Sequence, residues 1–244
     1  MAFEEVIFGQ CRLIRGDCYV LLADIQADAL ITDPPYGMAF NFRQVTSPDL
    51  RRKSHPPHGR HSYSAGRAWQ DNIHGDASPF DPTPFLWFPQ IILWGAHHYS
   101  AALPSSPSWL LWDKRVGTAS DHHGDADMAW TNLGGCIRVH RQLWRGLIRA
   151  GEENGSRDGK QHPGQKPLAL MRWCVEKTRG IVFDPFAGSF TTALACFQLG
   201  RPCIAIEIDP YYFDIGCRRL EAAYAQLGLF LPQPIVHPTQ ATLF

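Results

Sequence analysis

The chain has 244 residues, of which 45% are hydrophobic and only 19% are charged, so it can bury a sizeable core. This composition excludes a disordered chain and a disulfide-stapled miniprotein. The 23 basic residues balance the 23 acidic ones, which excludes a strong overall attraction to nucleic acid or to an acidic membrane. We therefore expect one domain that meets any charged partner through local patches.

The seven cysteines indicate a reducing compartment. No Cys-x-x-Cys pair occurs among them, so the sequence shows neither a zinc knuckle nor a disulfide framework. The N-terminus lacks a cationic segment followed by an apolar run. The longest apolar stretch, residues 85–96, contains Pro89 and is too short to span a bilayer. These features predict a soluble, cytoplasmic protein with no membrane partner.

The first clear pattern in the chain ends at a pair of prolines. A short helix-like stretch from Val20 leads into residues 28–32, an apolar run of strand length. Pro34 and Pro35 cannot continue a hydrogen-bonded ladder, so the strand must end at Asp33.

The middle of the chain is less regular. Residues 38–84 are rich in proline, histidine and serine and show no clear periodicity, which predicts a mobile loop or insert. Residues 90–94 and 109–112 are apolar runs between polar or proline-rich stretches, and each is consistent with a buried strand.

The last eighty residues alternate between helical and extended patterns. Predicted helices cover residues 167–180, 191–199 and 210–227, and predicted strands cover residues 181–184 and 203–207. Alternation of this kind is typical of a parallel α/β sheet with right-handed crossovers. The tail, residues 232–244, looks like a loosely attached extension.

Three of the predicted strands end in an acidic residue, namely Asp33, Asp184 and Glu207. Ligands of a doubly wound sheet bind beyond the carboxyl ends of its strands, so these side chains mark a candidate site. An acidic residue at a strand end is also common in ordinary turns, because aspartate forms local hydrogen bonds there. The sequences around the three acids are what distinguishes them.

Residues 32–37 read Thr-Asp-Pro-Pro-Tyr-Gly and present a carboxylate, a rigid carbonyl and an aromatic face. This combination suits an exocyclic amino group. Its two N–H donors would be held by the Asp33 carboxylate and the Pro34 carbonyl, while Tyr36 stacks on the attached ring. The alternative is a structural Pro-Pro turn with a packed tyrosine.

Residues 183–192 read as a strand, a tight turn and the start of a helix, whose free N–H groups suit a carboxylate. Glu207 ends the next strand, where an acidic group typically accepts hydrogen bonds from ribose hydroxyls. The chain has neither a G-x-G-x-x-G fingerprint nor a Walker pattern, which argues against a nicotinamide cofactor and a nucleoside triphosphate. S-adenosylmethionine fits better, because it combines a nucleoside with an amino-acid carboxylate.

Five blocks of the sequence, taken in order, resemble the amino-group DNA methyltransferases of the β arrangement, in which the catalytic block precedes the cofactor block. The resemblance covers most of the chain. It implies a permuted, Rossmann-like α/β fold of the S-adenosylmethionine-dependent methyltransferases, with helices on both faces of a mostly parallel sheet. The blocks are residues 15–18, 33–37, 162–167, 183–192 and 206–209.

The resemblance also implies roles for single residues. The catalytic residues would be Asp33, Pro34, Pro35 and Tyr36, and the methyl group would pass directly to the amino nitrogen with no covalent enzyme intermediate. Asp17 would contact the cofactor adenine, residues 165–167 its methionine moiety and Glu207 its ribose. The implied cofactor site consists of Asp17, Cys18, Gln165, Lys166, Pro167, Asp184, Pro185, Phe186, Ala187, Gly188, Ser189, Glu207 and Asp209.

The chain departs from the family pattern at two positions. Phe190 stands where the family's turn usually has glycine, so its side chain would have to point away from the cofactor. Gly164 stands where a threonine usually precedes the glutamine. Neither change removes a catalytic group.

The resemblance favours adenine N6 over cytosine N4 as the methyl acceptor, because an aspartate opens the Pro-Pro-Tyr block. Two further alternatives stay open: amino-group methylation of RNA, against which the order of the blocks argues, and a catalytically inactive DNA-binding relative in which Phe190 blocks the cofactor. A carbon-methylating enzyme would need a cysteine nucleophile, whereas Cys203 opens a predicted strand and is typical of a core cysteine.

A base inside a duplex must be flipped out to reach such a pocket, so basic surface is needed to hold double-stranded DNA. One basic patch follows the catalytic block. The other lies within residues 128–160, where the family order places a short target-recognition segment. If helical, the arginines of this second patch share one face beside Trp144; the alternative is a solvated face. The candidate DNA-binding residues are Arg43, Arg51, Arg52 and Lys53 in the first patch and Arg138, Arg141, Arg145 and Arg149 in the second.

The histidines and the aspartates between residues 121 and 127 do not form a metal-binding pattern, since neither an H-E-x-x-H nor a calcium-loop spacing occurs. We interpret the adjacent histidines at 97–98 and 122–123 as surface or packing residues. S-adenosylmethionine is therefore the cofactor predicted, without a metal. A homodimer and a partner restriction endonuclease stay open.

Overall fold

The computed structural model describes residues 3–38, 73–118, 124–145, 148–150, 162, 164–228 and 239–241. The chain divides into two units, one formed by residues 1–34 and 81–244 and the other by residues 35–80. Every described strand and helix belongs to the first unit. Among the described residues, no helix combines the length and the apolar character that a membrane crossing requires.

The described residues form twelve strands. They are β1 (Phe3–Phe8), β2 (Cys11–Arg15), β3 (Ala29–Thr32), β4 (Gln90–Trp94), β5 (Trp109–Asp113), β6 (Ala126–Thr131), β7 (Arg138–Arg141), β8 (Trp144–Arg145), β9 (Ile148–Arg149), β10 (Val182–Asp184), β11 (Cys203–Glu207) and β12 (Thr239–Ala241). β8 and β9 pair as a two-stranded ribbon, and the other ten strands form one sheet in the order β12-β1-β2-β11-β10-β3-β4-β6-β5-β7.

The centre of the sheet is parallel. β2, β11, β10, β3 and β4 lie side by side, and each pairs in parallel with its neighbour. β3, β10 and β11 are buried along their whole length, as expected for strands covered on both faces. Because these strands run in one direction, their carboxyl ends meet at one edge of the sheet, and the segments that follow them form the candidate site.

Antiparallel strands flank this centre on both sides. β1 pairs antiparallel with β2, and β6 lies antiparallel between β4 and β5. The start of β6, at Ala126 and Asp127, therefore lies at the same sheet edge as the carboxyl ends of β4 and β5. On the other side β12 pairs with β1, so residues 239–241 of the tail belong to the sheet and are not the loosely attached extension that we expected.

Four described helices complete the first unit: α1 (Cys18–Leu21), α2 (Leu168–Val175), α3 (Thr191–Gln198) and α4 (Pro210–Gly228). α3 lies between α2 and α4 and contacts both of them. Alternate side chains of the strands, including Ile31, Val182 and Ala205, join the same hydrophobic core as Met171 of α2 and Ala193 of α3. The three longer helices therefore cover one face of the sheet.

Short elements cover the opposite face. The strand residues that alternate with the first set, such as Leu30 and Phe183, are fully buried as well. Phe88 packs on Phe183 with ring centroids 5.5 Å apart. Tyr19 of α1 contacts Phe85, which lies in a 3-10 turn. α1 and such turns thus form the second layer.

The strands predicted at residues 28–32, 90–94, 109–112, 181–184 and 203–207 are confirmed to within one residue at each end. The helix predicted over residues 167–180 is shorter, because α2 ends at Val175. The helix-like stretch from Val20 is the four-residue α1 followed by a 3-10 turn, Leu22–Asp24. β1, β2 and β6 are additions that the sequence patterns do not predict.

Candidate active site

The three acidic residues at strand ends lie along one edge of the sheet. Asp33 follows β3, Asp184 closes β10 and Glu207 closes β11. β10 is the strand between β3 and β11, so Asp33 and Glu207 are two strand spacings apart, about 10 Å. This separation leaves room for one ligand over β11 and β10 and a second ligand over β3.

A lysine holds the carboxylate of Asp33. The Nζ of Lys166 lies 2.7 Å from Oδ2 of Asp33, and the two side chains are 10% and 17% exposed. Pro34 is buried, and its ring restricts the backbone that follows the carboxylate. The Asp33 carboxylate and the Pro34 carbonyl are therefore neighbouring hydrogen-bond acceptors in a restrained segment.

Lys166 also contacts a second carboxylate, that of Asp127 at the start of β6. The Nζ of Lys166 lies 3.1 Å from Oδ2 of Asp127, and the Nζ of Lys114 lies at the same distance from that oxygen. Burial by itself would raise the pKa of Asp127, but the ammonium groups of Lys166 and Lys114 outweigh it and lower the pKa to about 2. Four side chains of alternating charge thus connect Asp33 to Lys114.

The 3-10 turn Ala96–His98, directly after β4, borders this group of charges. Burial and the neighbouring His97 lower the pKa of His98, and the negative charges of Asp127 and Asp33 oppose that shift. His98 is exposed to solvent. The surface role that we assigned to it is compatible with this position, but the sequence did not indicate that His98 lies close to Asp33.

Pro35 and Tyr36, the other residues of the catalytic block, belong to the second unit. Within that unit, Oδ1 of Asp76 accepts hydrogen bonds from the backbone N–H groups of Gly37 at 2.9 Å and Met38 at 3.1 Å. Gly37 has a left-handed backbone, with φ of 79°, and an added Cβ would lie 2.4 Å from a backbone oxygen. Asp76 is 3% exposed, so a buried carboxylate holds the turn that follows Tyr36.

Glu207 is nearly buried, and backbone groups hold both of its oxygens. Oε2 accepts the N–H of Gly188 at 2.7 Å, and Oε1 accepts the N–H of Asp209 at 2.9 Å. Burial raises the pKa of Glu207 to about 7, although the two N–H donors favour the charged form. Each oxygen keeps a second lone pair, so the fixed carboxylate can still accept hydrogen bonds from a ligand.

Asp184, between the other two acids, is tied to both neighbouring segments by hydrogen bonds. Its Oδ1 accepts the hydroxyl of Thr32 at 2.7 Å and the N–H of Phe186 at 3.2 Å. Burial raises the pKa of Asp184 to about 6. Since Thr32 directly precedes Asp33, the first of these hydrogen bonds ties the end of β3 to the end of β10.

The ring of Phe190 points into the core. Phe190 has a left-handed backbone, with φ of 60°, which is the region that glycine adopts most easily. Its ring is fully buried and packs edge-on against Phe213, with centroids 5.9 Å apart. A Cβ added at Gly216 would lie 1.9 Å from the ring, so the absence of a side chain at Gly216 provides the space. Phe190 therefore occupies the glycine position of the turn without filling the edge of the sheet.

The segment before α2 lies against the turn that follows β10. Gln165 is 8% exposed, and its Oε1 accepts the hydroxyl of Ser189 at 3.3 Å. A Cβ added at Gly188 would lie 3.2 Å from Nδ1 of His162. The ring of His162 meets that of Tyr212, with centroids 4.3 Å apart. His162 and Tyr212 therefore lie near this turn, and the sequence analysis assigned no role to either residue.

The other residues of the implied cofactor site lie in the same segments. Asp17 is the N-cap of α1 and accepts the N–H of Tyr19 at 2.9 Å. Asp209 accepts the N–H of Tyr211 at 2.8 Å at the start of α4. Cys18 is buried, and burial raises its pKa to about 12. Pro167 directly precedes α2, and the turn after β10 contains Pro185, Phe186 and Ala187.

The arginines of the second basic patch do not share a helical face. Arg138 and Arg141 lie in the edge strand β7, while Arg145 and Arg149 lie in the ribbon of β8 and β9. Side chains three positions apart on a strand point to opposite faces, which corrects the helical arrangement that we considered. Arg141 is exposed, and its Nε lies 3.9 Å from Oδ2 of Asp113. The first patch, with Arg43, Arg51, Arg52 and Lys53, lies outside the described residues.

Within the described part of the chain, no three metal-ligating side chains lie close enough together to hold an ion. Cys203 lies buried in β11, and a hydrogen bond with Cys196 together with burial raises its pKa well above the ordinary value. A buried thiol of this kind is chemically inert. Cys203 is therefore the core cysteine that the sequence indicates.

Comparison with known proteins decides the family. A family model for DNA methylases of the N6/N4 type matches residues 124–218. The type II methyltransferase M.ScaI of Streptomyces caespitosus is 36% identical in an alignment 250 positions long that covers 86% of this chain and 81% of that protein. The chain belongs to the N6/N4 family of DNA amino-methyltransferases.

One further relative and one solved structure are also similar to this chain. The DNA adenine methyltransferase YhdJ of Escherichia coli is 45% identical over 67 residues, a match that spans 26% of this chain and 23% of that relative. The structure of the PvuII DNA methyltransferase, a cytosine-N4-specific protein, is similar with a TM-score of 0.53 over 89% of this chain and 92% of that chain, at 13% identity. This likeness confirms the Rossmann-like fold that the sequence predicts.

The cofactor of this amino-methyltransferase family is S-adenosylmethionine, and the residues at the edge of the sheet fit it. The fixed, nearly buried carboxylate of Glu207 is an acceptor of the kind that ribose hydroxyls need. Gly188 has a left-handed backbone, with φ of 54°, and lacks a side chain that would project into the turn. Asp33 lies outside this set of residues, two strands away over β3.

Proposed function

We propose that this amino-methyltransferase acts on double-stranded DNA and transfers a methyl group to the N6 amino group of adenine within a specific sequence. The observation that carries the proposal is the position of Asp33 at the end of β3, two strands from Glu207 at the same sheet edge. This arrangement supports a base pocket beside a cofactor pocket. The opening aspartate of the Asp-Pro-Pro-Tyr block and the relative named as a DNA adenine methyltransferase support adenine over cytosine.

In the proposed reaction, Asp33 and the Pro34 carbonyl each accept one N–H of the amino group of a flipped base. An aromatic amino nitrogen is a poor nucleophile, because its lone pair is delocalised into the ring. Holding both hydrogens biases the nitrogen toward a tetrahedral shape and directs the lone pair out of the ring plane. Bound S-adenosylmethionine supplies a methyl group activated by its sulfonium centre. The amino nitrogen would form an N–C bond as the S–C bond of the donor breaks, with S-adenosylhomocysteine as the leaving group, and the nitrogen would release one proton to solvent.

Positioning and electrostatics account for the rate of such a transfer. The hydrogen bond from Thr32 to Asp184 ties the base side of the site to the cofactor side. Tyr36 is assigned to stacking on the flipped ring, and the turn after it is held by Asp76. No covalent intermediate on the enzyme is needed, which agrees with the inert state of Cys203.

The same proposal assigns DNA contact to the basic residues of the second patch and of the insert. Residues 128–160 would form the target-recognition segment, and residues 38–84 would hold the strand beside the catalytic block. Exposed Arg138 and Arg141 on the edge strand β7 are suited to phosphate contacts. Their effect on binding would be uniform across DNA sequences.

The experiment supplies labelled S-adenosylmethionine together with mixed-sequence duplex DNA, or structured RNA in a parallel reaction, and separates the nucleosides after digestion. The expected result is label in N6-methyladenine from duplex DNA. Label in N4-methylcytosine would show that the acceptor base is cytosine and not adenine. Label confined to the RNA reaction would show that the substrate is RNA and not DNA. Label in none of these nucleosides would contradict methyl transfer by this chain. Sequencing DNA from expressing cells with detection of modified bases then gives the recognised sequence.

A further inference from the structure

The chain of charges from Asp33 to Lys114 contains a residue whose contacts add to the role that the family resemblance implies. By that resemblance, Lys166 lies beside the methionine moiety of the cofactor. Its ammonium group contacts Asp33 at 2.7 Å and Asp127 at 3.1 Å. Both partners lie on the side of β3 and β6, whereas Glu207 ends β11 on the other side of β10.

Lys166 is largely buried, so its ammonium group depends on these two carboxylates in place of water. Its side chain is 10% exposed, and that of Asp127 is 11% exposed. A charge in such a position is costly unless it is paired, so the ammonium group must stay with its carboxylates. A lysine stem is flexible, and a single partner would leave the position of its end group loosely defined. Two carboxylates from separate segments of the chain define that position.

Asp127 is well suited to be the fixed partner. It lies in β6, which is hydrogen-bonded on both sides, and Lys114 holds the same carboxylate oxygen from the end of β5. Its lowered pKa of about 2 keeps it charged throughout the range in which enzymes are assayed. Among the other titratable groups here, His98 and Tyr99 also lie near both carboxylates. Asp33, by contrast, lies in the irregular segment after β3.

We propose that Lys166 is a positioning residue of the base pocket: anchored by Asp127, it fixes the carboxylate of Asp33 in the orientation that accepts the amino N–H of the base. The inference rests on the proposed function and deepens it. Lys166 binds Oδ2 of Asp33 and so sets the plane of the carboxylate from one side. A misplacement of about 1 Å in such a group can cost roughly 10²-fold in rate.

The test compares Lys166→Met with wild type in single-turnover methyl transfer to duplex DNA and in calorimetric titration with S-adenosylmethionine. We expect the transfer rate to fall roughly 10²-fold, with cofactor affinity changed by less than about twofold, because the lysine contacts the base side. Lys166→Arg should recover part of the rate, since a guanidinium group can also bridge two carboxylates. The matched control is Lys177→Met, which removes a lysine whose Nζ lies 4.2 Å from the ring centroid of Trp173, outside the site.

A double variant separates positioning from charge balance. Lys166→Met with Asp127→Asn removes one charge of each sign, so a lysine that only balances buried charge would be dispensable and the rate would return. Positioning predicts that the melting temperature recovers while the transfer rate stays low.

Wild-type transfer rate in Lys166→Met, a large loss of cofactor affinity in that variant, or recovery of the rate in the double variant would each overturn the inference and leave the proposed function intact. A wild-type protein that transfers no methyl group to DNA would overturn both.

Discussion

Asp33 and Glu207 are acidic residues at the ends of parallel strands in one sheet, yet opposite kinds of partner hold them. A lysine side chain holds Asp33, whereas two backbone N–H groups hold the oxygens of Glu207. Backbone donors are fixed by the fold, while an ammonium group is placed by other side chains. The proposed cofactor side of the site is therefore held by backbone groups, and the proposed base side includes a network of charges.

Asp184 lies between these two residues and is held by hydrogen bonds from neighbouring segments of the fold. It is 3% exposed, and its Oδ1 is engaged by Thr32 and Phe186. Its role is to join β3 to β10. The contrast between the two sides can be tested by variants that separate base chemistry from cofactor binding.

The largest effect is expected for Asp33→Ala. Loss of the acceptor should reduce methyl transfer roughly 10²- to 10³-fold, the size seen when one preorganised electrostatic group is removed from a site. Cofactor affinity should change by less than about twofold, because Glu207 lies two strands away. Single-turnover transfer and calorimetric titration measure the two properties separately. Equal loss of both would show that the two sides of the site are not independent.

Glu207→Gln should give the reverse pattern. Hydrogen bonds to a charged group are worth about 1.5–3 kcal/mol, so cofactor affinity should fall by roughly tenfold to a hundredfold. The transfer rate at saturating cofactor should change only a few-fold. Titration with S-adenosylmethionine checks the first expectation and single-turnover kinetics the second. An unchanged affinity would remove Glu207 from the cofactor site.

The pH dependence of stability should distinguish the buried acid from exposed ones. The pKa of Glu207 is raised from 4.5 to about 7 by burial, so the folded state binds more protons than the unfolded state in this window. The free energy of unfolding of the cofactor-free protein should therefore decrease as pH rises through it. Asp184, whose pKa is raised to about 6, contributes in the same direction.

Urea unfolding at a series of pH values measures this dependence. Glu207→Gln should have a shallower slope than wild type between pH 4.5 and about 7. The matched control is Glu221→Gln, which changes an exposed glutamate of α4 and should keep the wild-type slope. Identical slopes in all three proteins would mean that burial of Glu207 does not disfavour its charged form.

A smaller effect is expected at Asp76, which holds the turn after Tyr36 within the second unit. Asp76→Ala leaves the N–H groups of Gly37 and Met38 without their acceptor, at a cost of about 1–3 kcal/mol. We expect about tenfold slower transfer, on the order of 1.4 kcal/mol, with unchanged cofactor affinity. Asp76→Asn should restore most of the rate, since an amide oxygen also accepts. Asp81→Ala, which removes an exposed acceptor of the Thr83 N–H, is the control.

The smallest effect on the site is expected for Phe190→Leu. Its ring fills the core beside Gly216, so the substitution should lower the free energy of unfolding by about 1–3 kcal/mol. Cofactor affinity should change by less than about twofold, because the ring does not lie at the sheet edge. Thermal unfolding and calorimetric titration check the two statements. A tenfold gain in affinity would instead identify Phe190 as an obstruction.

Sequence patterns predicted four of the five strands in the parallel centre of the sheet, because these strands are short apolar runs bounded by prolines or glycines, as at residues 28–32 and 203–207. Sequence patterns did not predict β6, whose place depends on antiparallel pairing with β4 and β5. The arginines at 138, 141, 145 and 149 illustrate the same limit. Their spacing suits a helix, but β7 gains its hydrogen bonds from β5, and tertiary pairing overrides a weak local pattern.

The sequence by itself determined the family and predicted the acceptor and cofactor blocks, because these blocks are contiguous and carry their chemistry in residue type and order. Only the tertiary structure decided which side chains hold them. Asp127 and Lys166 are 39 residues apart, and Asp33 and Lys166 are farther still, yet they form one network because the end of β3, the start of β6 and the segment before α2 meet at one edge of the sheet. The spacing of these residues along the chain does not predict such contacts, because the contacts depend on the order of the strands in the sheet.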